Sequence, residues 1–312
     1  MGSRITVRTP ADYLFARDVC SYGYFLLAPN LWDPIDRSLT RTLELAGGIA
    51  ELVITQPTRQ RGGDLRVESD RAIDRSERTA LVALLSRMLR LDESEQDIAR
   101  FHAVDPRWAP SGRGRLFRSP TIFEDVVKTV TSCNVAWPST IKMNAKLCDV
   151  VGAGFPSAAA LARKKPQTLR ARCGVGYRDA RLVELAKIFA RGEIDEQRLE
   201  DPATPDDDVF ETLVGLPGVG PYAAGNIMQL LGRYSRLAVD TETHRHARES
   251  LGFRETDNAM TKRIEEHYAA FGDQRFRSYW FEAWAAYEKR RGPAWTWAPK
   301  ETGPSFTAAA FD

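Results

Sequence analysis

The chain has 312 residues, with 44 Lys and Arg against 42 Asp and Glu and a formal net charge of +2. Hydrophobic residues make up 43% and charged residues 28%, an ordinary globular balance that excludes wholesale disorder, and 22 Gly with 17 Pro exclude a collagen-like or Pro-rich chain. No apolar run reaches the roughly 18–20 residues of a membrane span, and a pI near 8.3 permits a nucleic-acid partner without arguing for one.

The length suggests roughly two domains. The four cysteines, Cys20, Cys133, Cys148 and Cys173, form no C-x-x-C pair and have no histidine at ligand spacing. Free buried thiols in a reducing compartment are therefore expected, rather than a zinc site or a local iron–sulfur cluster. The N-terminus shows no basic-then-apolar leader pattern, which predicts a cytoplasmic protein.

Residues 4–70 read as strands: Ile5–Arg8, Gly23–Ala28, Leu39–Leu45, Ile49–Thr55 and Leu65–Glu68. Gly47-Gly48 and Arg61-Gly62-Gly63-Asp64 separate them as hairpin turns would, and a short helix is expected after Pro10. From about Asp74 the period becomes helical, with Leu81, Leu84, Leu85, Met88 and Leu91 on one face. Ser119-Pro120 supplies an N-cap and a first helical residue. Helices are predicted over 120–133, 139–151, 157–163, 167–172, 177–191, 208–215, 221–232, 241–251, 259–271 and 275–290. Asp201–Asp208, with two prolines and four acids, reads as a loop. The expected fold class is α+β. A small antiparallel sheet domain spans 1–73, and a mostly helical core spans 74–290 with a hairpin at about 208–232. A tail follows over 291–312, ordered in part through Trp295 and Trp297.

The most informative stretch is Leu213-Val-Gly-Leu-Pro-Gly-Val-Gly-Pro-Tyr222-Ala-Ala-Gly-Asn226. It predicts a helix ending near Leu216, a tight turn over Pro217–Gly220, and Pro221 opening the next helix. Gly218 and Gly220 allow positive φ and leave the backbone uncovered, so the N–H groups of Gly218, Val219 and Gly220 can face a phosphate at a helix N-terminus. A short distance on, Arg236-Leu-Ala-Val-Asp240-Thr-Glu-Thr-His-Arg245 is an apolar approach ending in an Asp that opens a helix. Asp240 is an N-cap by this pattern, and a helix N-terminus favours the ionised carboxylate, the species that stabilises a sugar cation.

Leu-Pro-Gly-Val-Gly followed by Val-Asp resembles the helix-hairpin-helix/GPD superfamily of DNA glycosylases. The sheet, Arg87-Met-Leu-Arg-Leu-Asp92 and Gly112-Arg-Gly-Arg-Leu-Phe-Arg-Ser-Pro-Thr-Ile-Phe-Glu124 are similar to 3-methyladenine DNA glycosylase II (AlkA) and 8-oxoguanine DNA glycosylase. The resemblance covers roughly residues 4–290. It implies a nucleoid-associated enzyme that binds double-stranded DNA, flips out a damaged or modified base and hydrolyses its N-glycosidic bond, without a cofactor. The sequence carries no signal of oligomeric state, and a monomer is the default expectation. Asp240 matches the catalytic Asp. Members that also cut the strand carry a Schiff-base Lys two residues after the second hairpin glycine, where this chain has Tyr222. A phenol forms no imine, so the departure implies a monofunctional glycosylase. Iron–sulfur members place four cysteines after the core; here none follows Cys173.

Gly174-Val-Gly-Tyr177-Arg178 resembles a turn of 8-oxoguanine glycosylase whose Tyr wedges into the base stack and whose Arg contacts the base left behind. Asn134 matches an Asn that reads that orphaned base, although Val135-Ala-Trp137-Pro-Ser139 departs from the family run. A monovalent cation at the Gly218 and Gly220 backbone is a candidate bridge to phosphate, and no other metal is expected. Arg170, Arg172, Arg178, Arg181 and Lys187 make that segment basic. The base pocket is assigned to Tyr222, Asn226, Glu282 and Trp284, with Trp280, Trp284 and Tyr287 on one helix face. Glu242 and Glu282 are candidate helpers for a neutral leaving base, Glu242 standing where relatives carry Asn or His. Two rivals remain: a glycosylase with lyase activity, and a non-catalytic module that recognises damaged DNA.

Overall fold

The computed structural model describes residues 2–152 and 154–298; the expected tail beyond Ala298 lies outside the described residues. An antiparallel sheet comes first: β1 (Arg4–Val7), β2 (Leu31–Asp33), β3 (Ser38–Leu45), β4 (Gly48–Thr55) and β5 (Leu65–Ser69), in the order β1-β5-β4-β3-β2. The β3–β4 hairpin closes with Leu45 opposite Gly48, whose φ of +107° explains a glycine there. Leu39, Leu43 and Leu45 of β3, Ala50, Leu52 and Ile54 of β4, and Leu65 and Val67 of β5 are all buried, at the period of two that puts one face of a sheet on a core.

The segment between β1 and β2 corrects the sequence reading. Helix α1 (Phe15–Val19) follows Pro10 as expected, but Gly23–Leu26 is a single 3₁₀ turn and not a strand. Tyr22, Tyr24, Phe25, Leu26 and Leu27 are all buried. Apolar side chains at every position, covered on all sides, carry no period that separates strand from turn.

The helical part follows as α2 (Arg75–Met88), α3 (Glu95–Val104), α4 (Ile122–Ser132), α5 (Trp137–Val151), α6 (Ala158–Ala162), α7 (Pro166–Cys173), α8 (Asp179–Ala190), α9 (Glu196–Glu200), α10 (Asp206–Val214), α11 (Pro221–Leu230), α12 (Thr241–Ser250), α13 (Asp257–Ala269) and α14 (Arg275–Arg291). The sequence did not single out α3 and α9 as helices, and α10 begins inside the expected 201–208 loop. Its first turn is Asp206-Asp207-Asp208, three acids at the positive end of the helix dipole. Helices α4, α5, α8, α10 and α11 share one core, around Val127, Leu147, Leu182, Leu213 and Ile227. The sheet packs on Leu81, Leu85 and Met88 of α2 and on Trp284 of α14.

A buried ion cluster joins sheet and helices. Arg41 of β3 meets Glu124 of α4 at 2.6 Å, and Lys128, one turn on, meets the same carboxylate at 2.7 Å. Removing one partner of such a cluster strands a buried charge, so it pins sheet and helices in one register.

Candidate active site

Helices α10 and α11 are joined by the Gly/Pro turn. Gly218 has φ +82°, and a Cβ there would meet the Arg181 side chain at 3.1 Å. Gly220 is the N-cap of α11 at φ −95°, so it does not use the left-handed region expected of it. A Cβ on Gly220 would meet nothing within 4 Å, which leaves the turn bare on its outer side. Val219 also departs from expectation: its side chain is buried in the helical core and its N–H donates to the Leu216 carbonyl at 3.1 Å. The N–H groups of Gly218 and Gly220 have no protein partner among the described residues and are the hairpin's unengaged donors. The Gly220 carbonyl accepts the Ala224 N–H, so one of the two groups named for a cation is engaged in the helix.

Asp240 is the N-cap of α12 in a capping box. Its Oδ1 accepts from the Thr243 N–H at 2.9 Å and from the Thr243 hydroxyl at 3.0 Å. The Thr243 oxygen in turn accepts from Tyr279 at 2.8 Å, which fixes the direction of that proton. On the other side, Tyr222 donates its phenolic proton to Asp240 Oδ2 at 2.9 Å. Burial, then the neighbouring Asp240 charge, pushes the Tyr222 phenol well above its ordinary range, so it remains a donor. Gly225 brings α11 against the approach to Asp240, and a Cβ there would lie 3.0 Å from the Leu237 carbonyl. A glycine within a helix pattern is the sequence signal for such a close approach, but its partner is 12 residues away and invisible to it.

Asp240 opens into a cavity of about 800 Å³. Its walls are aromatic, and they come from three parts of the chain. Trp280 stacks between Phe276 and Trp284, at centroid distances of 6.1 and 5.4 Å, and lies 4.6 Å from Tyr22. The Trp280 and Trp284 indole N–H groups donate to the carbonyls of Ser21 and Cys20, so the segment before β2 orients both rings. Trp137 at the start of α5 forms another wall, packed over Gly23, where a Cβ would lie 3.0 Å from the indole. Tyr22, Gly23 and Trp137 were not legible as site residues, because nothing local marks them. Trp280, Trp284 and Tyr287, which their spacing puts on one helix face, all border the cavity. Asn226 also borders it, buried, with its Oδ1 accepting from Tyr22 at 3.2 Å. Among the described lining residues there is no lysine or arginine, and two carboxylates, Asp240 and Glu242, are present.

Glu282 is not one of them. It lies behind His246, with Oε1 accepting from His246 Nε2 and the Tyr268 hydroxyl at 3.1 Å each, and Oε2 meeting Arg107 at 2.5 Å. Burial alone would raise its carboxyl, but the bonds from His246 and Arg107 outweigh burial and hold it at about 2. A carboxylate so held supplies no proton to a leaving base, and its expected place in the pocket is taken by His246.

The expected wedge residue is prominently exposed. Tyr177 stands in a short turn after α7 with 53% of its surface accessible, unusual for so large a side chain. The Arg178 and Arg181 guanidiniums lie 4.5 and 5.3 Å from its ring centre. Arg178 corrects the sequence reading, because it is buried and donates to the carbonyls of Val130 and Cys133. It therefore braces the α4–α5 loop, in which Asn134 sits exposed at the cavity rim with φ +53°. Of the basic run, Arg170 pairs with Asp179 and Lys187 with Glu184, while Arg172 and Arg181 are exposed.

No family model matches the sequence, and no curated protein matches it significantly. Solved structures do. An Archaeoglobus fulgidus 3-methyladenine DNA glycosylase aligns with a TM-score of 0.68 at 18% identity, over 91% of this chain and 99% of that one. A Clostridium acetobutylicum 8-oxoguanine glycosylase/lyase aligns with a TM-score of 0.64 at 18% identity, over 90% and 96%. A Schizosaccharomyces pombe 3-methyladenine DNA glycosylase in complex with abasic DNA aligns with a TM-score of 0.51 at 16% identity, over 62% and 97%. The likeness at these identities is one of architecture, and this chain has the fold of the helix-hairpin-helix/GPD DNA glycosylases.

Proposed function

We propose that the protein is a monofunctional DNA N-glycosylase that removes positively charged, N-alkylated bases and leaves an abasic site. The observation that carries this reading is the chemistry of the cavity. A carboxylate fixed by Thr243 and Tyr222 stands among stacked indoles, with no lysine or arginine on the described walls. The absence of a lining amine supports hydrolysis over lyase chemistry, which needs an imine-forming nitrogen.

The duplex is gripped by the Gly218 and Gly220 N–H groups and by Arg172 and Arg181, with Tyr177 filling the gap left by the extruded nucleotide. Flipping costs a few kcal/mol, which stacking on Trp137 and Trp280 offsets. A cationic base gains further from cation–π attraction, about 2 kcal/mol in a dry site. The C1′–N bond then breaks with its electron pair leaving on the base, which departs neutral and needs no acid. Asp240 stabilises the cationic sugar that results. Water adds to C1′ and releases its proton. A neutral leaving group would need a donor, and Glu282 is not one. The test is a base-release screen on duplexes carrying single 3-methyladenine, 7-methylguanine, 8-oxoguanine, uracil or modified-cytosine residues. Release of the methylated purines, strand cleavage only after alkali, and loss of release in Asp240→Asn are expected. Release of 8-oxoguanine or uracil alone would overturn the assignment of substrate.

A further inference from the structure

Glu242 is held in an unusual way. Every hydrogen bond it accepts falls on one oxygen. Tyr287 donates to Oε2 at 2.5 Å, and Arg245 donates to the same atom through Nη2 at 2.8 Å and Nε at 3.1 Å. Its Oε1 has no partner among the described residues, and the side chain borders the cavity that holds Asp240. Arg245 is itself tied to Glu249 at 2.8 Å, and its guanidinium lies 5.3 Å from the centre of the Tyr287 ring. The brace therefore restrains the carboxylate from behind and commits one oxygen. Arg245 does not line the cavity, so the charge that meets a ligand there is negative.

Resting on the glycosylase reading above, we propose that Glu242 is a specificity-determining residue whose Oε1 accepts a hydrogen bond from the exocyclic amine of the extruded base. An immobilised carboxylate is a strong acceptor for an N–H donor and repels a carbonyl oxygen presented in the same place. The site thus selects alkylated aminopurines over alkylated bases whose amine has been replaced by oxygen or hydrogen. Discrimination by a buried polar group set to meet a substrate N–H exceeds that of an apolar wall, because the mismatched partner leaves the group unpaired.

Three bases isolate this interaction: 7-methyladenine, 7-methylguanine and 7-methylhypoxanthine, placed in one duplex sequence. All are methylated at N7, and the last lacks both amines. Single-turnover release would be measured for wild type, Glu242→Leu and Glu242→Gln, and each variant compared with wild type on each base, which cancels differences in leaving ability. For Glu242→Leu, at least one aminopurine rate falls roughly tenfold or more beyond the fall for 7-methylhypoxanthine. Glu242→Gln, which keeps the shape and an acceptor for Arg245, guards against misfolding and shifts selectivity in the same direction by less. Equal losses on all three bases in both variants would overturn the proposal and place Glu242 with the water or with Asp240. If wild type releases none of the three, the glycosylase reading itself fails for alkylated purines and this inference falls with it.

Discussion

Tyr222 and Asp240 are joined by a hydrogen bond of 2.9 Å across 18 residues of sequence, phenol to carboxylate, from the first turn of α11 to the N-cap of α12. The bond places a neutral donor where strand-cutting relatives are expected to place an amine. It has two consequences for chemistry. It orients the Asp240 oxygens together with Thr243, and it puts a phenol, not an amine, beside that carboxylate.

Removing only the phenolic oxygen tests the first consequence. Tyr222→Phe keeps the ring against the cavity and deletes one hydrogen bond to a charged acceptor, a loss of about 1.5–3 kcal/mol. If that is expressed in the transition state, single-turnover base release falls roughly ten- to hundredfold. Duplex affinity, read by fluorescence anisotropy, stays within about threefold.

Replacing the phenol by an amine tests the second. On the proposed reading, Tyr222→Lys puts an amine beside Asp240, and its neutral fraction is the species that forms the imine. Borohydride trapping is expected to capture a protein–DNA adduct with Tyr222→Lys and none with wild type. An adduct with wild type would show that another amine serves and that the chain also cleaves strands.

Tyr177 is exposed, so its loss barely affects folding but removes the ring that we propose fills the stack. Tyr177→Ala is expected to leave the melting temperature within about 2 °C, as for a surface change of under ~0.5 kcal/mol. Base release drops about tenfold or more, since base–aromatic stacking contributes roughly 1–3 kcal/mol. A 2-aminopurine placed next to the lesion would report the loss of unstacking directly.

Gly225 tests the route by which α11 positions the segment that ends at Asp240. A Cβ at this position meets the Leu237 carbonyl at 3.0 Å, so Gly225→Ala must push the 237–240 segment outward by a few tenths of an ångström. Gly225→Val enlarges that displacement. Activity should fall in the order wild type, Ala, Val, and more steeply than thermal stability, because near-attack geometry tolerates little displacement. Parallel losses would mean that the contact is only structural.

The Glu282 carboxyl sits at about 2 against an ordinary 4.5. A folded value below the unfolded one means stability that is present above pH 4.5 and lost as pH falls toward 2. With solvent screening allowed for, the contribution is about 2 kcal/mol at neutral pH. Glu282→Gln should therefore lower the melting temperature at pH 7, and the gap to wild type should narrow steadily between pH 4.5 and 2.5. A gap that does not change with pH would assign the loss to packing.

Local patterns carried much of the fold. The alternation in β3 and β4, the helical period from Asp74, the Pro221 start of α11 and the N-cap role of Asp240 are short-range signals, and each appears in the structure where the sequence put it. The bare hairpin and the position of Asp240 beyond it were legible for the same reason, since turn chemistry and capping act within a few residues. What surrounds Asp240 was decided elsewhere. Glu282 and Glu242 look alike along the chain, yet one is half-buried and tied to Arg107 and His246 and the other faces the cavity. Arg178 reads as a surface cation, yet it braces the carbonyls of Val130 and Cys133. Tyr22, Gly23 and Trp137 have no local mark of function and become cavity walls because the segment before β2 packs against α5 and α14. The sequence by itself determined the β3–β4 hairpin, most of the helices and the Asp240 cap, because those depend on neighbours within a turn. Only the tertiary structure decided which side chains share a cavity and which charges are neutralised behind it, because burial and ion pairing depend on residues that lie far apart in the chain.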